Sequence, residues 1–430
     1  MYQARSHEEL IQKWTNVTDE DGNRSVLAID ENWSYEKKAA MATVLENQVD
    51  GDGQLVIGEA AQANTTLSSL GGSTDGSADS DAYQFQPIAL ALARRAMPRL
   101  FAFNTCGVQP MQGPVGLAFA MRVIYKSNNA DGIEAGWDKM NEWSGYTGST
   151  SQTSAVLNDG FTSATGAAST SAETWEIGAG GSYPELTTEW DKKTIEAVAR
   201  QVGSTISMFA QQDIRAMHGV DLEREMVSRL EYELVAGLDR EILAKIKSAA
   251  TNTALGGEVI SAVNVSGTNL DGRWSQEKFS NMINAIVHQQ GRIASLTRLG
   301  NGNFVVVSPA VATALQSAPP GVFTRSAAAV STFNGLPEIG TLNAGSMKVY
   351  FDSYASTDYA LVGFKGEEAS QAGVIYSPYL SGVRKTVAEK DFSTILGAHH
   401  RYALTDSLLD SGRFYRYIPF TNVSSIIATA

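Results

Sequence analysis

Cysteine is almost missing: among 430 residues only Cys106 carries a thiol. No intrachain disulfide can staple the fold, so a chain of this size is held by packing or by assembly with copies of itself. The economical role for Cys106 is a small buried apolar group. Long apolar runs are missing too. None approaches the roughly 20 residues needed to cross a bilayer, and the opening MYQARSHEEL lacks the apolar segment of a secretory signal. Synthesis in the cytoplasm and no membrane partner are the expectation. Positive charge is in deficit, with 33 Lys and Arg against 46 Asp and Glu and a net of −13. That balance argues against tight non-specific binding to nucleic acid, which needs many cationic contacts to phosphate.

Recognisable catalytic chemistry is a further absence. His7, His218, His288, His399 and His400 form no HExxH, HxxxH or Cys-His arrangement. His399 and His400 fall in an alternating strand, where neighbours point to opposite faces and do not chelate one ion. Asp75, Asp79 and Asp81 lack the order of ligands in a calcium loop. There is no GxSxG elbow and no Walker motif. Gly300-Asn301-Gly302-Asn303 precedes a strand instead of joining a strand to a helix, and reads as a helix-to-strand turn. Glu223 and Glu225 are expected on the solvent side of a helix, without the burial that tunes a general acid. The reading is a protein that is not an enzyme, with no catalytic site, metal or cofactor.

What is present is one strongly patterned stretch, Asp221 to Ser248. Leu222, Met226, Leu230 and Leu234 recur every fourth residue, and Leu238, Ile242 and Ile246 continue the stripe, which is the spacing of one helical face. Asp221 supplies an N-cap, and Glu225 to Arg229 and Glu241 to Lys245 are spaced as i,i+4 ion pairs. At 1.5 Å per residue the helix is about 40 Å long, enough to span a domain.

In chain order, residues 1 to 59 hold 12 Asp and Glu against 5 Lys and Arg, so −7 of the total −13 sits in the first seventh of the sequence. Glu8 to Trp14 and Trp33 to Glu46 have helical patterning, while Asp19 to Arg24 and Asp50 to Gly53 are turn-rich, and the segment reads as semi-independent. Composition alone fits a solvated acidic tail equally well. Residues 60 to 82 are small, polar and glycine-rich, suited to an extended arm. Pro87 to Met97 reads as a short helix stopped by Pro98, and Val115 to Tyr125 as a strand. The Gly, Ser, Thr and Asn rich stretch from Ser127 to Pro184 is too long for a loop inside a compact domain, and is expected to project outward onto neighbouring copies.

Trp190 to Ile206 resumes as a strand with Ile195, Ala197, Ala199 and Gln201 on one face, and Met208 to Met217 leads into the long helix. Gln276 to Leu296 is a second amphipathic helix, using Phe279, Ile283, Ile286, Val287 and Ile293. Phe304 to Ser308, Met347 to Phe351, Tyr359 to Phe364, Val374 to Pro378 and His399 to Leu404 read as strands, with a short helix at Pro309 to Ser317. Helices and strands are segregated, so the fold class is α+β.

Several stretches resemble one family. Arg94-Arg95-Ala96-Met97-Pro98-Arg99-Leu100-Phe101-Ala102-Phe103 followed by Cys106-Gly107-Val108-Gln109-Pro110-Met111, then Ala210-Gln211-Gln212-Asp213-Ile214-Arg215-Ala216-Met217-His218-Gly219, and finally Ile375-Tyr376-Ser377-Pro378-Tyr379, are similar to the major capsid protein of T-even-type tailed bacteriophages. The resemblance covers most of residues 57 to 405 in order, with gaps.

It implies a Hong Kong 97-type capsid fold. Residues 60–126 would be the N-terminal arm and the entry to the core, and 127–189 the extended loop with a reduced insertion. A peripheral domain would cover 190–272 with 221–248 as its spine helix, an axial domain 273–390, and 391–430 would return to the peripheral domain and tail. It also implies that 1–59 is a propeptide cut off by the prohead protease after Glu59. Ile57-Gly58-Glu59 matches that protease's preference and stands before Ala60; Ile29-Asp30-Glu31 and Leu336-Pro337-Glu338 match it too, but do not fit the family's layout. Partners implied are the chain itself in hexameric capsomers, scaffold, vertex, portal and decoration proteins, and packaged DNA without sequence-specific binding. The place implied is the virion capsid, assembled in the host cytoplasm. Alternatives are the vertex (pentamer) protein of the same phage or an encapsulin-like shell.

Overall fold

The computed structural model describes residues 7–15, 29–30, 32–47, 100–125, 186–265, 274–317, 322–326, 336–343, 345–388, 393–407 and 410–423. Its helices are α1 (His7–Thr15), α2 (Tyr35–Glu46), the single turn α3 (Ala102–Thr105), α4 (Met208–His218), α5 (Leu222–Thr251), α6 (Ser275–Thr297) and α7 (Pro309–Gln316). Its strands are β1 (Gly107–Val108), β2 (Val115–Tyr125), β3 (Leu186–Glu196), β4 (Val198–Ile206), β5 (Val263–Asn264), β6 (Phe304–Val307), β7 (Phe323–Arg325), β8 (Glu338–Leu342), β9 (Met347–Phe351), β10 (Tyr359–Gly363), β11 (Val374–Val387), β12 (Thr394–Asp406) and β13 (Tyr415–Thr421). They form a seven-stranded sheet in the order β5-β13-β10-β6-β9-β8-β7, a four-stranded sheet β1-β11-β12-β4 and a two-stranded ribbon β2-β3. Both larger sheets mix parallel and antiparallel pairs. The fold is α+β.

Helix α5 ties the two larger sheets together. Asp221 caps it, its carboxylate accepting the Glu223 N–H at 3.3 Å. The helix runs three residues past the expected end at Ser248, because Ala249 and Ala250 are still buried and the side chain of Asn252 takes over the capping of the turn that follows. Val227, Leu230 and Leu234 pack with Ile206, Val383, Leu396 and Ala398 from the four-stranded sheet. One turn further on, Val235, Leu238, Ile242, Leu243 and Ile246 join the large core that holds Phe304 to Val307 and Tyr359 to Val362 of the seven-stranded sheet. A single stripe therefore serves both cores in succession.

The sequence boundaries differ from the observed ones where tertiary pairing decides. Strands β11 and β12 pair along their length as a long hairpin, far beyond Val374 to Pro378 and His399 to Leu404, with a register shift between Pro378 and Leu380. Pro378 has no N–H to give the ladder, which makes it a natural bulge point. β11 thus lies in the four-stranded sheet although it falls in the stretch 273–390, and β13, within 391–430, lies in the seven-stranded one. The expected single strand Trp190 to Ile206 is two strands. At Ala197 the chain leaves the ribbon for the four-stranded sheet, held by the Ala197 N–H donating to Pro114 O at 2.9 Å. The change of sheet also changes the inward face: Ile195 is buried, but Ala199 and Gln201 are exposed and Ile206 is the buried end of β4.

The described part of the N-terminal segment is not semi-independent. α1, α2 and Ile29 contribute Leu10, Trp14, Ile29, Met41, Val44 and Leu45 to the same core as the sheets. The helix that the sequence read at 87–97, the arm 60–82, most of the loop 127–189 and the site Ile57, Gly58, Glu59, Ala60 lie outside the described residues.

Candidate assembly surfaces

The ribbon's two faces differ in kind. On the inner face Ala118 and Ile195 are buried with Met111 and Ala403, and Lys193 Nζ donates to the Asp406 carbonyl at 3.0 Å. On the outer face Val115, Leu117 and Phe119 stand opposite Glu196, Thr194 and Lys192, with Trp190 two positions further along β3. Phe119 is 62% exposed and Trp190 68%. Two strands alone are marginal in water, and an aromatic face left open on them adds to the cost. This face is built for cover by another surface.

Helix α4 presents the same problem in helical form. None of its eleven residues is buried, although Phe209 (73% exposed) and Met217 (80%) lie eight positions apart on one side. A helix this short is not stable on propensity alone. It is fixed at one end by Gly219, whose φ of +64° gives the left-handed turn into α5, and by Gln211 Nε2 donating to Glu223 at 3.2 Å.

Below these surfaces the body is locked by polar contacts. Glu223 is not on the solvent side as its spacing suggested: Lys385 Nζ on β11 donates to both its carboxylate oxygens, at 3.0 and 2.8 Å. Glu225 does pair with Arg229 at 3.1 Å on the surface. Glu241 and Lys245, the other expected pair, are drawn apart by closer partners: Glu241 accepts from Arg200 and Tyr402, and Lys245 donates to Asp406 at 2.7 Å. His400 is buried against Tyr376, whose hydroxyl lies 2.8 Å from its Nε2, and burial lowers its pKa to about 3, so the ring is neutral. Asp239, at the middle of α5, accepts the Phe101 N–H at 2.9 Å, and burial raises its pKa to about 7. Burial likewise raises the Cys106 thiol to about 12, so it is unreactive packing. Among the described residues no group of three or more His, Cys, Asp or Glu is placed to hold a metal, and no helix is long and apolar enough to cross a membrane.

Of the residues singled out on the long helix, Leu230, Leu234, Leu238 and Ile242 are buried, while Leu222 and Met226 sit half-buried at the edge of the smaller core. The outer ribbon face and α4 were not picked out by spacing, although the alternation Val115, Leu117, Phe119 was legible. An apolar strand face reads the same whether its cover is the chain itself or another molecule.

The ribbon and α4 present apolar side chains without cover among the described residues, the surface of a protein that works by contact and not by a catalytic pocket. Residues 82–416 match the family model described as Major capsid protein Gp23, and the chain belongs to that family. It is thus a phage major capsid protein and a virion component. The major capsid protein of Salmonella phage ViI is 30% identical over 80% of this chain and 82% of its own length. That of Enterobacteria phage T6 is 26% identical over 92% and 94%. Among solved structures, the capsid of Myoviridae Phage XM1 aligns with 74% of this chain and 91% of its own at 11% identity and a TM-score of 0.39. The Cyanophage P-SCSP1u capsid aligns at 12% identity, a TM-score of 0.41 and 74% and 88% coverage.

Proposed function

We propose that copies of this chain close an icosahedral head shell by laying the outer face of the β2–β3 ribbon and the stripe of α4 against neighbouring copies. The observation that carries this reading is α4, a helix with no buried residue of its own. In this reading the subunit is Hong Kong 97-type with α5 as its spine, six-fold capsomers are its working form, and the chain has no catalytic role. The shell is put together in the host cytoplasm with scaffold, vertex, portal and decoration proteins, and packs DNA without reading its sequence.

The prohead protease cuts after Glu59. Once the cut segment has left, about seven net negative charges per subunit are gone from the shell's interior, which lowers repulsion toward incoming phosphate. Electron microscopy with N-terminal sequencing of assembled particles tests both parts. The expected result is closed shells whose subunits begin at Ala60, with Phe209→Ser and Phe119→Ser variants that fold but assemble poorly. Folded subunits that stay monomeric with Met1 intact, or variants that assemble at normal yield, would overturn it.

A further inference from the structure

Helix α2 lies in the most acidic part of the sequence, yet beyond its first turn it is buried on every side. Seven consecutive residues, Ala39 to Leu45, are inaccessible. Seven in a row exceed one helical face, so this part of the helix is surrounded and not merely laid on a surface. Around it α1, Ile29 and α2 form one small unit: the Ile29 N–H donates to Trp14 O at 3.0 Å, and Trp14 Nε1 and Lys13 Nζ both donate to Glu46 Oε2, at 3.0 and 2.7 Å.

The unit is fastened to the body at its two ends by side chains. At the start of α2, Lys365 Nζ bridges Glu36 Oε2 and the Phe103 carbonyl, 2.8 Å from each, and its side chain is only 11% exposed. Lys37 lies over the Phe103 ring at 5.6 Å. Just past the end of α2, Asn47 Nδ2 donates to the carbonyls of Met111 and Tyr379, at 2.9 and 2.8 Å. Between these clamps α2 packs along β1 and β11. Every one of these attachments is non-covalent, and none depends on the chain running on from residue 47 into the body.

We propose that α1, Ile29 and α2 through Asn47 are a seated module, a ligand that the chain carries for its own groove, and that cutting the chain downstream does not release it. A groove lined by Phe103, Met111, Lys365 and Tyr379 keeps this module as a bound fragment until the Glu36–Lys365 and Asn47 clamps are broken. Scission and release are then two separate events. Release strips Lys365 of its carboxylate and opens the apolar groove along β11, so the change in the body follows release and not the cut. The biological meaning of the module as a pro-segment rests on the proposed processing at Glu59; its seating does not.

The test is to insert a site-specific protease sequence between Val49 and Asp50 of the full-length chain, cut it in native buffer, and follow both pieces by size exclusion and native mass spectrometry. The expected result is a one-to-one complex that survives the column. Glu36→Lys should speed dissociation of the fragment at least tenfold, and the exchanged pair Glu36→Lys with Lys365→Glu should restore retention. An N-terminal piece that leaves the otherwise wild-type body as soon as it is cut would overturn the inference, as would a charge reversal that changes nothing. Because the inserted sequence cuts irrespective of the natural processing site, loss of the fragment leaves the Glu59 reading standing. Mature particles that begin elsewhere than Ala60 would refute that reading and leave the seated module intact.

Discussion

Helices α4 and α5 are neighbours in sequence, separated only by Gly219 to Asp221, and they are opposites in structure. α5 buries twelve of its thirty residues and is shared by two cores, while α4 buries none of its eleven. The first is finished within one chain, and in the function proposed above the second is finished against another. Mutations in the two helices should therefore separate folding from assembly.

The largest effect is expected at Leu238, fully buried at the junction of the two cores. Leu238→Asp places an unpaired charge there, and a loss beyond about 5 kcal/mol should leave no soluble folded chain on expression. Recovery of a cooperative thermal transition would show that α5 is not the common support of both sheets.

Next comes Asp239. Its native pKa of about 7 stands above the ordinary 3.8, so the native state holds the proton more tightly than the unfolded chain. The stability from this group is fully present below pH 4 and is lost as pH rises through 7. Asp239→Asn keeps an acceptor for the Phe101 N–H, and should be the more stable protein at pH 8 by up to about 4 kcal/mol and equal near pH 4. Denaturant titrations at the two pH values check this, and parallel curves for both proteins would refute it.

Smaller effects belong to the polar fastenings. Lys385→Met leaves Glu223 half-buried without its cation and should cost about 2 kcal/mol, and Asp221→Ala, which removes the cap, about 1 kcal/mol. Urea midpoints measure both. At the bottom of the scale Phe209→Ser and Met217→Ser should alter subunit stability by less than about 0.5 kcal/mol, yet depress shell yield severely. A stability loss as large as that of a core variant would place α4 among the finished elements after all.

The same contrast explains what the sequence revealed. The stripe from Leu222 to Ile242 was legible because helical spacing is local, and Asp221 as a cap is local too. The pairing of Glu241 was misread because i,i+4 spacing offers Lys245, whereas the fold brings Arg200 and Tyr402 closer from 41 and 161 residues away. Glu223 was assigned to solvent for the same reason, its cation lying 162 residues along the chain. Ala197 carried no signal of a strand changing sheets, since alternation continues through it. Residues 35–46 looked like part of an acidic tail because charge was averaged over the whole segment, while the buried run Ala39 to Leu45 within it is nearly free of polar groups.

The continuity of β3 and β4 through Ala197 has a mechanical consequence. One covalent strand is clamped at one end in a four-stranded sheet beside α5 and is free along its outer face at the other. Eleven ribbon residues at ~3.3 Å each make an arm of about 36 Å, so a rotation of about 10° at its root carries the tip about 6 Å. A neighbour that grips the tip holds the long end of a lever whose short end is wired into the subunit's core.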